Sequence, residues 1–237
     1  MITKVLPVIH YLTVQQALDN AALAKRCGCP GVFLISMDGR DDELDQAIMA
    51  VKYRNPDLYV GANFLSQSPL NALHRSLELG IHATWVDYAG ISGFGPNQVA
   101  LDIAKVLDAN PGHDFFGAVA FKYQRPVEKF PVEAAIAAAK QGMIATTSGD
   151  KTGHAPDPSK LRGMREGLDR AFAPANYRPA LALASGVTPE NAHQYLDSTT
   201  HFLVSSGISE SEHQFSEERL RALMAVVNSA NVAASHV

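Results

Sequence analysis

Eight short apolar segments recur at near-regular intervals along the chain, and each has the length of a β-strand. They occupy residues 4–9, 31–36, 59–64, 83–86, 115–121, 143–147, 180–184 and 201–205. Most are continuously apolar and rich in β-branched residues, which is typical of parallel strands whose two faces are both buried. The pattern therefore predicts one parallel sheet built from these segments.

Amphipathic stretches with helix-start residues lie between the predicted strands. Thr13 begins a capping-box pattern, and Ser68, Asp157 and Thr188 each stand directly before a proline, which suits the first position of a helix. Apolar residues then follow at spacings of three and four. The last such series predicts an eighth helix and consists of Leu220, Leu223, Met224 and Val227.

Strands that alternate with helices in this way predict an α/β fold, a (β/α)8 TIM barrel formed as one domain by residues 1–237. A doubly wound open sheet is the alternative. That fold would require a glycine-rich turn after the first strand, whereas residues 10–13 contain no glycine. We therefore expect the barrel.

The composition narrows the class of protein further. The chain of 237 residues is 46% hydrophobic and 19% charged, with a formal net charge of −4, which argues against a nucleic-acid partner. No apolar run approaches the roughly 18 residues of a membrane span, and we expect no secretory signal because residues 1–4 do not begin a longer apolar core with a small-residue cleavage site. Cys27 and Cys29 are too close in sequence for an unstrained disulfide. These features predict a soluble cytoplasmic protein with two reduced structural thiols.

Polar residues stand at the end of every predicted strand. In a barrel of this type the functional site forms at the carboxyl ends of the strands, so these residues are the candidates for ligand contact. They are His10, Asp38, Asn63, Asp87, Lys122, the run from Thr147 through Ser148 and Gly149 to Asp150, Ser185-Gly186 and Ser205-Ser206-Gly207. The pattern predicts a ligand site at the mouth of the barrel.

Two serine–glycine turns predict a phosphate site within that mouth. Ser185-Gly186 follows the seventh strand and Ser206-Gly207 follows the eighth. Glycine permits backbone N–H groups to approach an anion closely, and barrels often bind phosphate with the loops after these two strands. The alternative is that Gly186 and Gly207 only allow tight turns.

Four ionisable residues are candidates for catalysis. Lys122 ends an apolar strand, where it can hold an anion by its charge or form a Schiff base with a carbonyl substrate. Asp87 is a general base or counter-charge, or else a carboxylate paired with a neighbouring lysine. His10 can donate to a substrate oxygen or be a core-edge histidine that the protein itself satisfies. Asp150, in the long loop after strand six, is a second candidate for proton exchange.

Three further strand ends are candidates for substrate binding. They are Asn63 after the third strand, Asp38 after the second, and Thr147-Ser148-Gly149 after the sixth. No cofactor is expected. A Mg²⁺ ion held by Asp38, Asp87 and Asp150 beside a substrate phosphate is the alternative, which no residue spacing requires.

Two segments late in the chain carry a family resemblance. Residues 147–157, followed by Leu161 and Arg165, resemble the BtpA-like proteins after their sixth strand, and residues 184–191 resemble that family's Ser-Gly-Val-Thr-x-Glu-Asn segment. The chain differs from the family at residues 11–14, 36–39 and 122–123. The resemblance implies a divergent member of a ribulose-phosphate-binding type of TIM barrel. One branch of that family is associated with photosystem I biogenesis, and others resemble enzymes of sugar or nucleotide metabolism.

The leading functional hypothesis is an enzyme that acts on a phosphorylated sugar or nucleotide-like metabolite, as an isomerase, a lyase or an enzyme of glycosidic-bond cleavage or transfer. A catalytically reduced assembly or regulatory factor of BtpA type is the second hypothesis, suggested by the differences from the family. A metal-dependent hydrolase that uses Asp38, Asp87 and Asp150 is the third. We expect a phosphorylated small molecule as the ligand and a homodimer as the default state of such a barrel.

Overall fold

The strands form a closed barrel. The computed structural model describes residues 2–122, 124, 129–151 and 153–235. Eight parallel strands pair in chain order, and the last returns to the first with His201 opposite Lys4. They are β1 (Lys4–His10), β2 (Gly31–Ile35), β3 (Tyr59–Asn63), β4 (Ala83–Val86), β5 (Asp114–Ala118), β6 (Ile144–Thr147), β7 (Leu181–Leu183) and β8 (His201–Val204). The predicted (β/α)8 barrel is thus confirmed.

Helices cover the outside of the barrel. The described residues contain seven: α1 (Val14–Arg26), α2 (Asp41–Arg54), α3 (Pro69–Glu78), α4 (Gln98–Asp108), α5 (Pro131–Lys140), α6 (Pro158–Phe172) and α7 (Glu217–Ser235). The predicted caps hold where a helix follows, since Thr13, Ser68 and Asp157 each accept a hydrogen bond from a backbone N–H of the first turn.

One predicted helix start was wrong. Thr188 and Pro189 begin no α-helix; the connection from β7 to β8 contains only a single 3₁₀ turn, Ala192–Gln194. The side chain of Asn191 accepts from the Thr188 N–H at 2.8 Å and donates to the Gly186 carbonyl at 2.9 Å. These bonds close a local turn in place of the first helical turn.

Two apolar layers stabilise the barrel. Alternate strand residues point outward against the helices, and the others fill the interior. Gly61 is required in the interior because a Cβ there would overlap the Phe33 ring. The interior layer consists of Leu6, Val8, Phe33, Ile35, Ala83, Trp85, Phe116, Ala118, Phe121, Ala182, Ala184 and Leu203. His10, Asn63 and Asp87 continue the inward-facing spacing at the carboxyl end.

Two other sequence expectations concern membranes and thiols. None of the helices in the described ranges is both long and apolar enough to cross a bilayer. Cys27 and Cys29 are buried free thiols, in agreement with the predicted absence of a disulfide.

Candidate functional site at the mouth of the barrel

Three of the predicted catalytic residues lie together at the carboxyl ends of the strands. Asn63 Nδ2 donates to Asp87 Oδ1 at 3.1 Å, which joins the ends of β3 and β4. The ammonium of Lys122, just beyond β5, is near enough for its charge to oppose the rise that burial causes in the pKa of Asp87 and to add to the fall that burial causes in the pKa of His10. The mouth therefore contains a carboxylate and an imidazole that both feel the charge of the same cation.

Burial sets the protonation of these groups. Solvent reaches the Asp87 carboxylate, yet the surrounding walls remove enough water to raise its pKa, and the Asn63 hydrogen bond and the Lys122 charge only partly oppose this. Desolvation also lowers the pKa of His10, which Glu212 opposes and which His213 and Lys122 reinforce. Asp87 therefore accepts a proton more readily than a fully solvated carboxylate does, and His10 favours the neutral form.

The two serine–glycine turns after β7 and β8 are in contact. A Cβ on Gly207 would overlap the carbonyl of Val187, and a Cβ on Gly186, whose φ is +69°, would overlap the backbone of His154 and Ala155. Gly149 faces the His154 carbonyl in the same way. The loops after β6, β7 and β8 thus stack backbone against backbone, an approach that only glycine permits.

Several amides in these turns have no acceptor among the residues that the structure describes. The N–H groups of Gly186, Val187, Ser206 and Gly207 donate to no protein acceptor in the described parts of the chain. Gly186, Val187 and Gly207 are buried residues, whereas Ser206 is exposed. Because buried amides normally have partners, this group has hydrogen-bonding capacity for an acceptor that the protein does not supply.

The candidate substrate residues of the sixth strand end lie beneath the surface. Thr147, Ser148 and Gly149 are all buried. The Thr147 hydroxyl donates to the Ala120 carbonyl at 3.1 Å, and the Ser148 hydroxyl accepts from the Lys122 N–H at 2.7 Å. These side chains join the ends of β5 and β6 to each other.

Asp38 and Asp150 lie apart from the Asp87 cluster. Asp38 is exposed after β2, where it accepts from the Ser36 hydroxyl at 2.8 Å and from Arg40 Nε at 2.7 Å. Asp150 is exposed after β6, and its charge acts on Lys160. Across the described ranges, no three His, Cys, Asp or Glu side chains gather as a metal site requires, so Asp38, Asp87 and Asp150 form no such group.

Sequence reasoning missed Glu212 and His213, which belong to a hairpin between β8 and α7. His213 Nδ1 lies 3.0 Å from the His10 carbonyl oxygen. Buried Asn20 of α1 donates to the His213 carbonyl at 2.8 Å and accepts from the Phe215 N–H at 3.0 Å, which anchors the hairpin beside His10. The available signal was a pair of adjacent ionisable residues in the loop after the last strand.

Comparison with known proteins supports the fold. No protein-family model and no curated protein match the sequence. Phosphoribosyl anthranilate isomerase from Thermus thermophilus matches with a TM-score of 0.64 at 18% identity over 96% of this chain and 100% of that one. KGPDC from Streptococcus mutans has a TM-score of 0.68 at 10% identity over 97% and 99% of the two chains. A third structure is a phosphoribosyl anthranilate isomerase in complex with reduced 1-(O-carboxyphenylamino)-1-deoxyribulose 5-phosphate. It matches with a TM-score of 0.63 at 13% identity, over 96% of this chain and 100% of that one.

These similarities confirm the (β/α)8 barrel. At such low sequence identity they show a shared fold and do not show a shared function. The molecule bound in the last of these structures is a phosphorylated sugar derivative, and its binding is a property of that protein. Membership of the BtpA-like family stays a prediction.

Proposed function

We propose that this protein is a phosphate-binding barrel enzyme that acts on a phosphorylated sugar or nucleotide-like metabolite. The observation that carries the proposal is the contact between the two serine–glycine turns. Their unused amides belong to the same mouth as Asp87, Lys122 and His10. The phosphorylated sugar derivative bound by a barrel of this fold supports the same ligand class.

The phosphate rests on the amides of Gly186, Val187, Ser206 and Gly207. The three loops meet with little space between their backbones, so the turns are held in place before the ligand arrives. Arg219 contributes to this order from α7, because its Nε donates to the Gly207 carbonyl at 2.9 Å and its Nη2 lies 3.6 Å from Glu190. A preorganised set of donors binds an anion without the cost of ordering the loops.

The sugar part of the substrate faces the charged side of the mouth. Asp87, whose pKa burial raises, takes a proton from a carbon or hydroxyl of the substrate. The Lys122 ammonium neutralises the negative charge that develops on a nearby oxygen, and neutral His10 contacts a substrate oxygen. Asp87 then returns the proton, which completes an isomerisation or prepares a lyase step. A Schiff base on Lys122 is the lyase version of this chemistry.

The test is a thermal-unfolding screen with ribose 5-phosphate and ribose. Ribose 5-phosphate should raise the melting temperature of the protein and ribose should not, because a ligand stabilises the state that binds it. Ser206→Glu places a negative charge at an exposed position of the phosphate turn and should abolish the response. Ser211→Glu, exposed on the neighbouring hairpin, is the matched control and should preserve it.

Two results would overturn the proposal. One is that no compound of a panel of phosphosugars and nucleotides raises the melting temperature. The other is that the Ser206→Glu protein responds as strongly as the Ser211→Glu protein.

An assembly or regulatory factor is the second candidate, and one observation favours it. Phe94, in the hairpin after β4, is 91% exposed, and its ring contacts that of Phe130 at 5.5 Å between centroids. An exposed aromatic pair is typical of a protein-binding surface. A failure of phosphorylated compounds to stabilise the protein would support this second candidate function.

A further inference from the structure

The chain leaves β5 through a strained bend. Ala120 has a φ of +47°, in the left-handed region that residues with a Cβ disfavour. Among the described non-glycine residues only Asn176, at +49°, shares this conformation, and asparagine tolerates it better. Such strain persists only where the surrounding structure maintains it, and it concentrates at functional sites.

Lys160, on the first turn of α6, forms hydrogen bonds at this bend. Its Nζ donates to the Ala120 carbonyl at 2.7 Å and to the Ser148 carbonyl at 2.8 Å. Thr147 Oγ1 adds a second bond to the Ala120 carbonyl at 3.1 Å. One ammonium therefore joins the peptide before Phe121 to the loop after β6. Desolvation lowers the pKa of Lys160 to about 8, a change that Asp150 opposes.

The residues after the bend are held as closely. The Phe121 N–H donates to Gln124 Oε1 at 2.9 Å, and Gln124 Nε2 donates to the Asp87 carbonyl at 3.1 Å. The Lys122 N–H donates to Ser148 Oγ at 2.7 Å. The N–H groups of Phe121 and Lys122 are thus joined, through Gln124 and Ser148, to the ends of β4 and β6. Lys122 Nζ lies 5.4 Å from the Phe121 ring centroid.

We propose that Lys160 is a positioning residue, which holds the left-handed bend at Ala120 and so directs the Lys122 ammonium into the mouth beside Asp87 and His10. The role of the Lys122 ammonium in neutralising charge on a substrate rests on the proposed function. The position of that ammonium in the mouth does not depend on the proposed function. A purely structural role would be different, because Lys160 would then stabilise the fold without affecting where the Lys122 charge lies.

The test is the pKa of His10, measured on the full chain without ligand by NMR titration of the imidazole. Lys122 lowers this pKa, so its removal in Lys122→Met should raise the value. Lys160→Met should raise it by a similar amount, because the released Lys122 ammonium moves into solvent. The double variant should show no further rise beyond Lys122→Met. Lys151→Met, an exposed lysine of the adjacent loop, is the control and should leave the pKa unchanged.

The outcomes separate the two roles of Lys160. A folded Lys160→Met protein with an unchanged His10 pKa would overturn the proposal, and so would additive rises in the double variant, which would show a direct charge effect. If Lys160→Met does not fold, the same titration is made with Lys160→Gln, whose side chain is shorter and uncharged, and the same rise in the His10 pKa is expected. No ligand enters this experiment, so its result is independent of the phosphate test above.

Discussion

The two ends of the barrel contain similar polar residues in different states. At the amino-terminal end, the Tyr59 hydroxyl donates to Asp114 Oδ2 at 2.7 Å, and His201 Nδ1 lies 2.8 Å from Thr200 Oγ1. At the mouth, Nδ1 of His10 is buried and has no hydrogen-bond partner in the described part of the chain. The polar groups named at this amino-terminal end, which we call the closed end, have partners within the protein, whereas His10 Nδ1 at the mouth keeps hydrogen-bonding capacity for a ligand.

The two histidines show the same difference in their charges. Burial lowers the pKa of His201 to about 4, and the Lys4 charge adds to this effect. Burial also lowers the pKa of His10, but the nearby Glu212 carboxylate opposes it. The closed end therefore contributes to stability at neutral pH, and the mouth holds an imidazole whose protonation neighbouring charges can adjust.

The largest expected effect is a loss of folding stability in acid, caused by His201 at the closed end of the barrel. The folded-state pKa of His201 lies below its ordinary value of 6.5, so the unfolded chain binds the proton first. Its contribution is present above pH 6.5 and is lost as the pH falls toward 4, a loss of about 3 kcal/mol. Urea unfolding at pH 7.5 and pH 4 should show a smaller loss for His201→Gln than for the wild type. Exposed His74→Gln is the control, and an equal loss in all three proteins would contradict the assignment.

The next effect tests the backbone contact at the mouth. Gly207→Ala should destabilise the protein by about 1–3 kcal/mol, because the new methyl group would overlap the Val187 carbonyl. Gly112→Ala is the matched control, since a Cβ at Gly112 meets no atom within 4 Å. Urea denaturation measures both. Equal stability of the two variants would mean that the turns after β7 and β8 do not touch.

A smaller effect is expected from the hydroxyl at the closed end. Tyr59→Phe removes the donor to Asp114 and should cost about 1 kcal/mol. Tyr53→Phe, at a tyrosine that is 85% exposed, should leave the free energy of unfolding unchanged. Thermal unfolding of the two variants provides the comparison. If Tyr59→Phe leaves the free energy of unfolding unchanged, the hydrogen bond from Tyr59 to Asp114 does not stabilise the closed end.

The smallest effect has the opposite sign and belongs to the mouth. Because burial raises the pKa of Asp87 above 3.8, the stability that this carboxyl contributes is fully present below pH 3.8 and is lost as the pH rises through the folded-state value. Asp87→Asn should therefore raise the free energy of unfolding at pH 7.5, by less than about 1 kcal/mol since solvent reaches the carboxylate, and thermal unfolding measures the accompanying rise in melting temperature. The gain should disappear near pH 3.5. Exposed Asp57→Asn is the control, and a destabilised Asp87→Asn at pH 7.5 would place Asp87 among the residues that stabilise the fold.

Much of the architecture was predictable from local patterns. All eight predicted strands coincide with observed ones to within a few residues, because apolar runs bounded by turn residues report burial directly. The connection after β7 was the exception. Its Thr188-Pro189 signal is a genuine helix start by local chemistry, but Asn191 bonds to Gly186 and Thr188 and closes a turn first.

The candidate site was predictable where strand order alone brings residues together. Asp87 and Lys122 stand at the ends of adjacent strands, so the barrel topology places them at one mouth. Lys160 and Glu212 were missed because each reaches the site from outside the strand ends. Lys160 comes from a helix and Glu212 from a hairpin that Asn20 anchors. No periodicity in the sequence reports contacts between such distant segments.

The order of apolar and polar residues by itself determined the alternation of strands and helices, the closed sheet and the end of the barrel at which the candidate site residues lie. These properties depend on burial, which each segment encodes in its own residues. Only the tertiary structure decided which polar groups keep unused hydrogen-bonding capacity and which are satisfied internally. That outcome depends on the distances between atoms of different loops, as in the contact of Gly207 with Val187 and of Lys160 with Ala120.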